Sequence, residues 1–468
     1  MILPEVLAVA MVGAMCGLLL AGYPVALTLA GVSLMFGFAG DAFGVMSLSL
    51  LGALPQRIFG IMTNDVLLAI PLFVFMGVML ERSRVAEDLL ETMGRLFGSL
   101  TGGLAIAVTI VGVLLAAAKG IVGATTVTMG LIVLPTMLRY GYDKRLAAGT
   151  VAATATLAQI FPPATVLVLL GDQMGNAYQA AQLAQGNFAP RSVTVSDLFA
   201  GAIVPAGTLV ALYLLFLIAV AFFFPKTSPA MPPDPQAPRG FAMARRLLAA
   251  LVAPIGLIVA VLGSILGGLA TPTESAAIGA FGAILLALRR FDGDGGWIRT
   301  VLVPVLHRTT QVTSMIFLIL IGATLFSLVF RGLGGDDMVH HALSDLPGGT
   351  AGAVLAVMLA VFFLGFVMDA FEIIFVVVPI VAPALLQMPG VDPVWLAVML
   401  AMNLQTSYMH PPLGPTLFFL RGVAPPEITT AHIYVGVIPF IVIQLAMLAV
   451  LWFVPALATW LPQSLYGG

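Results

Sequence analysis

Charged residues are scarce in this sequence: Asp, Glu, Lys and Arg together make up 9% of its 468 residues. Hydrophobic residues make up 60%, and the mean hydropathy is +1.11, a value that no water-soluble globular domain would tolerate. The formal net charge of −2 excludes the strongly basic surface with which proteins bind nucleic acid. The composition therefore indicates an integral membrane protein.

Cysteine and several catalytic motifs are also scarce or absent. Cys16 is the only cysteine, which excludes an intramolecular disulfide and a thiolate metal cluster. The GxxxxGK loop that binds ATP, the HExxH zinc motif and a CxxC pair are absent, so ATP-driven transport by this chain alone is excluded. No basic n-region precedes the first apolar stretch, and we expect a retained first helix rather than a cleaved signal.

Apolar runs of about twenty residues are abundant. Such runs cross a hydrocarbon core of roughly 30 Å as helices, which favours an all-α polytopic membrane protein over a barrel of short alternating strands. The first apolar segments cover residues 2–21, 24–40, 44–62 and 66–80. The charged, amphipathic stretch 81–100 that follows is expected to lie in the membrane interface.

One apolar segment with a proline pair in its middle occurs twice, over residues 141–171 and 390–420. Both copies open with Gly-x-Asp, and the offset between them is 249 residues, as from Pro162–Pro163 to Pro411–Pro412. Proline breaks a helix because it lacks the backbone N–H. The sequence therefore predicts proline-broken helices over about residues 146–171 and about 394–420, the first followed by a polar loop to residue 197.

A long apolar stretch with a central interruption precedes each broken helix. Residues 103–138 are interrupted at 119–126, and residues 349–386 are interrupted at 365–372. Each stretch is too long for one membrane span and too short for two spans with a loop. We therefore predict a re-entrant helical hairpin at about 103–138 and another at about 349–386.

The positions of Lys and Arg predict the orientation of the two halves. Arg139, Lys144 and Arg145 place the base of the first hairpin in the cytoplasm, whereas residues 387–393 at the base of the second carry no positive charge. Hairpins that open to opposite sides imply inverted repeats. The predicted organisation is a first inverted repeat over residues 1–224, a Pro-rich cytoplasmic linker over 225–246, and a second inverted repeat over 247–468.

Polar residues at the hairpin tips and before the proline pairs are candidate ion ligands. Small hydroxyl and amide oxygens, with the carbonyls freed at helix breaks, suit Na⁺ better than a transition metal. The alternative is that the hydroxyls only hydrogen-bond across packed helices. The two clusters are Gly120, Gly123, Thr125, Thr126, Thr154, Thr156 and Gln159 in the first half, and Asp369, Glu372, Asn403, Gln405, Thr406 and Ser407 in the second.

Charged groups near the breaks have several open roles. Asp369 and Glu372 lie in an apolar stretch and could be cation ligands, proton sites or a cap on the hairpin tip. Lys119 could attract an anionic substrate or pair with an acid, and His410 is expected to hydrogen-bond a freed carbonyl. Helix starts are expected at the capping residues Asp143, Glu274 and Asp392.

These motifs strongly resemble the large membrane subunit of tripartite ATP-independent periplasmic (TRAP) transporters, nearly end to end. Each matching stretch alone is a modest indication of the family, but the stretches together are specific for it. They are IPLFVFMG (70–77), GIVGATTVTMGLIVLPTMLRYGYDKRLAAG (120–149), QIFPPATVLVLLGDQ (159–173), ATPTESAAIGA (270–280), MDAFEIIFVVVPIVAP (368–383) and SYMHPPLGPTLFFLRG (407–422).

The resemblance implies a multi-pass protein of the bacterial inner membrane with the elevator-type ion transporter fold. It also implies Na⁺ as coupling ion, no organic cofactor, and import of an organic acid of the carboxylate or 2-oxo acid type. The implied partners are a small membrane subunit (Q subunit) and a periplasmic substrate-binding protein (P subunit). The length of this chain fits a large subunit without a fused small one.

Carried over to this sequence, the resemblance implies two groups of site residues. Lys119 stands where related sequences more usually have a small polar residue, a departure that implies either a different local ion geometry or a particular anion. The alternatives are a stand-alone anion carrier and a membrane-embedded enzyme, for which the sequence offers no paired nucleophile and base. The implied Na⁺ ligands are Gly120, Gly123, Thr125, Thr126, Thr154, Thr156, Asp369, Glu372, Asn403, Thr406 and Ser407, and the implied substrate-binding residues are Lys119, Gln159, Pro162, Pro163, Pro411, Pro412 and Gly414.

Overall fold

The structure is a computed structural model that describes residues 2–83, 89, 92–94, 96–119, 122–189, 191–232, 241–288 and 296–467. Helices are the only regular secondary structure in these ranges. Six of them are long and apolar enough to cross a membrane: α1, α2, α6, α9, α12 and α18 in the numbering that follows. The all-α polytopic class predicted from the sequence is confirmed.

The helices follow one another with short connections. In chain order they are α1 (Ile2–Leu20), α2 (Val25–Ala42), α3 (Leu54–Met62), α4 (Ala69–Arg82), α5 (Gly103–Lys119), α6 (Val122–Arg139), α7 (Lys144–Thr156), α8 (Thr165–Ala184), α9 (Val195–Phe223), α10 (Phe241–Leu266), α11 (Pro272–Leu288), α12 (Val303–Gly332), α13 (Gly335–Ser344), α14 (Gly349–Leu364), α15 (Ala370–Leu386), α16 (Pro393–Met409), α17 (Pro415–Val423), α18 (Thr430–Phe453) and α19 (Ala456–Tyr466).

The Gly-x-Asp motifs start α7 and α16 in the same way. Gly141 and Gly390 have φ of 78° and 82°, the left-handed region that glycine enters without a Cβ clash. Asp143 Oδ1 then accepts hydrogen bonds from the N–H groups of Arg145 and Leu146, at 2.8 and 3.1 Å. Asp392 Oδ1 accepts two in the same manner, both at 2.9 Å. These two predicted caps are confirmed, and so is the third, because Glu274 Oε2 accepts from Thr271 N at 2.8 Å.

Both proline pairs interrupt a helix near its middle. The chain leaves α7 through a short 3₁₀ turn at Leu157–Gln159 and resumes as α8, and it leaves α16 at Met409 and resumes as α17. The peptide bonds Pro162–Pro163 and Pro411–Pro412 are both cis. α8 continues to Ala184, so the expectation of a polar loop from residue 172 is wrong. Its polar residues Asp172, Asn176 and Gln179 line a cavity of about 990 Å³.

The packing of the two halves is reciprocal. α2 packs on α12 while α4 packs on α11, and α6 packs on α17 while α15 packs on α8. The most buried helix is α16, in which every residue from Pro393 to Met409 is buried. The last ten residues of α7, 147–156, are likewise enclosed by protein. The two proline-broken helices therefore form the centre of the molecule.

Two glycines allow α7 to approach α18 closely. A Cβ added to Gly149 would collide with the carbonyl of Gly436, and one added to Gly436 would collide with the carbonyl of Arg145. Glycine is common at such helix contacts in membranes because it lets backbones come together.

We predict that Gly149→Ala destabilises the protein by about 1–3 kcal/mol, because the added methyl group has no space. The matched control is Gly207→Ala on α9, where nothing lies within 4 Å of an added Cβ. The melting temperature of the purified protein in detergent measures both effects. A Gly149→Ala protein as stable as the Gly207→Ala protein would contradict the predicted close contact.

Candidate functional site

The first hairpin tip lies between α5 and α6. Gly120 is outside the described residues, and the structure describes the backbone but not the side chain of Lys119. Gly123 faces the ring of Phe419 on α17, whose nearest atom would lie 3.0 Å from an added Cβ. Thr125 and Thr126 are fully buried, and Thr126 Oγ1 donates to the Val122 carbonyl at 2.9 Å. The tip therefore packs directly against the second broken helix.

The second hairpin tip is held by a capping box at the start of α15. Asp369 Oδ1 accepts from Ala370 N at 2.6 Å, and Glu372 Oε2 accepts from Asp369 N at 3.0 Å. The hydroxyl of Tyr408, on α16, accepts a further hydrogen bond from Ala370 N at 3.3 Å. Of the three roles that the sequence left open for the two acids, capping is the one visible in their hydrogen bonds.

The polar side chains that precede each proline pair donate their hydrogen bonds to backbone carbonyls of the protein. Thr154 Oγ1 and Thr156 Oγ1 donate to the carbonyls of Thr150 and Ala153, at 2.6 and 2.8 Å. On α16 the hydroxyls of Thr406 and Ser407 likewise donate to their own helix, at 3.0 and 2.9 Å. The Asn403 amide donates across to the Met358 carbonyl at 2.7 Å. Because their hydrogens are engaged, what these side chains offer a ligand is oxygen lone pairs.

Four side-chain oxygens near the two breaks are buried and have no hydrogen-bond partner among the described residues. Gln159 Oε1 and Thr165 Oγ1 flank the first break, and Gln405 Oε1 and Thr416 Oγ1 flank the second. Buried acceptors are normally satisfied, so unpartnered ones mark places where an ion, water or substrate can bind. His410 Nδ1 donates to the Pro411 carbonyl at 2.7 Å, which confirms the predicted contact with a freed carbonyl.

A cavity of about 560 Å³ separates the two hairpin tips. Gly123 lines it from the first tip, and Asp369 and Ala370 line it from the second. Gln159 and Tyr408, which occupy equivalent positions 249 residues apart in the two broken helices, also face it. The cavity is therefore built from corresponding parts of both halves of the chain.

Two arginines that the sequence analysis did not single out as site residues complete the cavity. Arg82 at the end of α4 and Arg308 in the first turns of α12 both line it, together with Glu81 and Gln311. An ionisable residue inside an apolar helix is a signal of function, and it could have identified Arg308. Glu81 is engaged by the Thr128 hydroxyl at 3.0 Å.

The predicted site residues whose side chains or backbone the structure describes divide into three groups. Gly123, Gln159 and Asp369 line the cavity between the tips. The predicted substrate-binding residues Pro162, Pro163, Pro411, Pro412 and Gly414 are not among its described lining residues. The remaining predicted ion ligands are buried behind it: Thr125, Thr126, Thr154, Thr156, Glu372, Asn403, Thr406 and Ser407.

Comparison with known proteins identifies the class of transporter. Residues 12–457 match the family described as "Tripartite ATP-independent periplasmic transporter, DctM component". The chain therefore belongs to this family of transporter permease subunits, which are not enzymes, and it is a multi-pass protein of the bacterial inner membrane. The resemblance noted in the sequence is confirmed.

Similar proteins cover almost the whole chain. The C4-dicarboxylate TRAP transporter large permease protein DctM of Vibrio cholerae is 28% identical over 472 residues, with 96% of both chains covered. The sialic acid TRAP transporter large permease protein SiaM of the same species is 24% identical and covers 96% of this chain and 97% of its own. The crystal structure of the Alcanivorax borkumensis YdaH transporter shares the fold, with a TM-score of 0.61, 15% identity, and 96% and 98% coverage.

We predict that replacements of Asp369 separate its capping role from its charge. Asp369→Asn keeps an oxygen for the Ala370 N–H, whereas Asp369→Ala removes the cap and is expected to cost about 1 kcal/mol more of unfolding free energy. Melting temperatures of the two purified proteins test this. Equal melting temperatures would show that the side chain does not cap α15.

Proposed function

We propose that this chain is the permease of a sodium-coupled importer that carries an organic acid of the carboxylate or 2-oxo acid type by an elevator mechanism. The observation on which the proposal rests is the cavity between the hairpin tips, with Arg82 and Arg308 in its wall. A planar guanidinium binds a carboxylate through two parallel hydrogen bonds. The cavity volume of about 560 Å³ is that of a small-molecule site.

The charges around the cavity favour an anionic substrate. Its two lining acids are engaged by the protein itself, Asp369 as a helix cap and Glu81 by Thr128. Of the charged groups in the wall, the two guanidinium groups are those that can bind a substrate carboxylate. Several relatives are named as transporters of acids, among them C4-dicarboxylates, sialic acid and 2,3-diketo-L-gulonate, which supports the same class here.

Sodium coupling is supported by the oxygens at the two breaks. Hard monovalent cations take oxygen ligands, and broken helices in transporters supply carbonyls and hydroxyls for them. Buried oxygens of this kind lie ahead of and behind both proline pairs. We propose the two tips, with Thr406 and Ser407 on α16 and Thr154 on α7, as the coupling sites.

The elevator mechanism is supported by the division of the packing. The tips and both broken helices pack among themselves, through α6 with α17 and α15 with α8. The arginines are carried by α4 and α12, which pack crosswise with α11 and α2. We propose that the tips and the broken helices move as one body against α2, α4, α11 and α12. We also propose that the two halves of the chain, residues 1–224 and 247–468, are inverted repeats joined by a cytoplasmic linker.

The proposed partners are a separate small membrane subunit and a periplasmic substrate-binding protein. The family description is that of a tripartite periplasmic system. The isethionate TRAP transporter permease protein DctMQ of Oleidesulfovibrio alaskensis is 27% identical and covers 93% of this chain, but only 65% of that protein is matched. The unmatched part supports a second membrane subunit that accompanies this chain as a separate protein.

We predict that Arg308→Gln raises the KM for uptake of the organic acid about tenfold, because one charge-assisted hydrogen bond to a carboxylate is lost. The measurement is initial uptake by vesicles that contain the permease and its partners. The matched control is Arg331→Gln on the same helix, where the guanidinium pairs with Asp336 at 2.9 Å and does not line the cavity. Equal KM values for the two variants would contradict a substrate role for Arg308.

We predict that Thr406→Val raises the Na⁺ concentration required for half-maximal uptake at least severalfold, because it removes one oxygen and little volume. The control is Thr136→Val on α6, whose hydroxyl also donates to its own helix, at 3.0 Å. The Na⁺ dependence of uptake is measured for both. An unchanged Na⁺ curve for Thr406→Val would contradict the assignment of this segment.

A further inference from the structure

One hydrogen bond joins the first broken helix to the loop that precedes α4. Asn64 Nδ2, in that loop, donates to Asp172 Oδ1 on α8 at 2.8 Å. Gln173 Nε2 donates to the other carboxylate oxygen, Asp172 Oδ2, at 2.9 Å. Asn64 Oδ1 accepts from Val66 N at 2.9 Å, so both ends of the amide have a partner of the right kind, which fixes its orientation.

The loop that carries Asn64 is held to the outer helices. Thr273 Oγ1, in the first turn of α11, donates to the Asp65 carbonyl at 2.6 Å. Asp65 and Asp172 line the same cavity of about 990 Å³, whose wall includes residues of α8 and of the start of α11. Because this cavity separates α8 from α11, the bond from Asn64 to Asp172 is a direct link at the edge of the gap.

The bond and the cavity between the tips lie at opposite ends of α4. Asn64 lies just before the start of α4, and Arg82, in the wall of the cavity between the tips, is its last residue. The positive charges predict that α7 starts on the cytoplasmic side at Lys144, so that α8, beyond the break, leads to the periplasmic side. With this orientation, the bond lies on the periplasmic side and the cavity between the tips opens to the cytoplasm.

We propose that the hydrogen bond from Asn64 to Asp172 is a latch that holds the carrier with its cavity open to the cytoplasm. The inference rests on the elevator mechanism proposed above, in which α8 moves with the tips while α4 and α11 stay in place. Movement of α8 along α4 breaks this bond, and Asp172 then exchanges a protein donor for water.

A second hydrogen bond crosses the same boundary at the other end of α4, where Thr128 Oγ1 donates to Glu81 at 3.0 Å. The same hydroxyl lies 2.8 Å from the Ala124 carbonyl, and its one hydrogen is shared between the two acceptors. Each oxygen of Asp172, in contrast, has a donor of its own. The bond on the periplasmic side is therefore the stronger of these two links.

The latch acts on the balance between the two end states of the carrier. A hydrogen bond to a charged group contributes more than one between neutral groups, and this bond is made in only one of the two states. A contact that is present in one state shifts the equilibrium toward that state. Loss of the latch is therefore expected to raise the population that is open to the periplasm by about tenfold.

The decisive variant is Asn64→Asp, which keeps an oxygen for Val66 N and sets a second carboxylate against Asp172. It is made in a reporter protein with Ala124→Cys in the wall of the cavity between the tips and Cys16→Ser. Vesicles that contain this permease and its partners, in Na⁺ without organic acid, receive a membrane-impermeant thiol reagent on the periplasmic side. We expect labelling about tenfold faster than in the reporter protein, because like charges drive the two groups of helices apart.

The exchanged pair, Asn64→Asp with Asp172→Asn, places the amide on α8 and the carboxylate on the loop. It is expected to label at the rate of the reporter protein, because the bond forms again with its partners exchanged. The matched control is Gln179→Glu, which adds a carboxylate two turns further along α8, in the wall of the same 990 Å³ cavity, and is expected to leave the rate unchanged. Asn64→Ala is a milder variant, for which we expect labelling severalfold faster than in the reporter protein.

The proposal is overturned if Asn64→Asp and Asn64→Ala both label no faster than the reporter protein, or if the exchanged pair keeps the fast labelling of Asn64→Asp. Equally fast labelling of Gln179→Glu would also overturn it, because added charge alone would then be the cause. Failure of the elevator mechanism is distinguishable, because the reporter thiol would then label from one side only in every variant, with or without Na⁺ and organic acid.

Discussion

The backbone groups that the proline pairs release are the constraint on which this structure depends. Inside a membrane, each N–H and C=O without a partner carries a free-energy cost of several kcal/mol, so a broken helix persists only where protein surrounds it. The fold meets this requirement by placing α16 and residues 147–156 of α7 at its centre, where every residue is buried. His410 then satisfies the Pro411 carbonyl at the second break, and the Tyr408 hydroxyl accepts from the Ala370 N–H at the neighbouring hairpin tip.

The same constraint explains why polar chemistry concentrates at the breaks. Oxygens that are too deep for bulk water and that have no protein partner are found beside both proline pairs. Such unpartnered oxygens destabilise a purely structural protein, whereas the proposed function uses them as ligands for an ion or a substrate. The cavity between the tips adds arginines from α4 and α12, outside the central group. Binding at this place therefore links the inner helices to the outer ones.

Local rules predicted a large part of the fold. The helix starts at Asp143 and Asp392 follow from capping, and the contact of His410 follows from the carbonyl that a proline frees. The loop prediction for residues 172–184 was wrong because it was based on their polar character. A helix also carries polar residues where it lines a cavity.

Contacts between distant segments could not be read from the sequence. Arg308 reaches the tips only because α12 packs beside them, and Asn64 meets Asp172 only because α4 packs beside α8. The roles of Asp369 and Glu372 also needed coordinates, since a cap and an ion ligand look alike in a sequence. The proline pairs and hairpins in the sequence predicted where the candidate site lies. Which other residues line it depends on how the helices pack, which only the structure shows.

The central claim is that the cavity between the tips is exposed to each side of the membrane in turn. Ala124 lines this cavity, and Cys16 is the only cysteine, so Ala124→Cys in a Cys16→Ser background gives one reporter thiol. A membrane-impermeant thiol reagent is applied to either side of vesicles that also contain the partner subunits. The account predicts labelling from both sides, with the balance shifted by Na⁺ and substrate. Labelling from one side only, under all conditions, would contradict it.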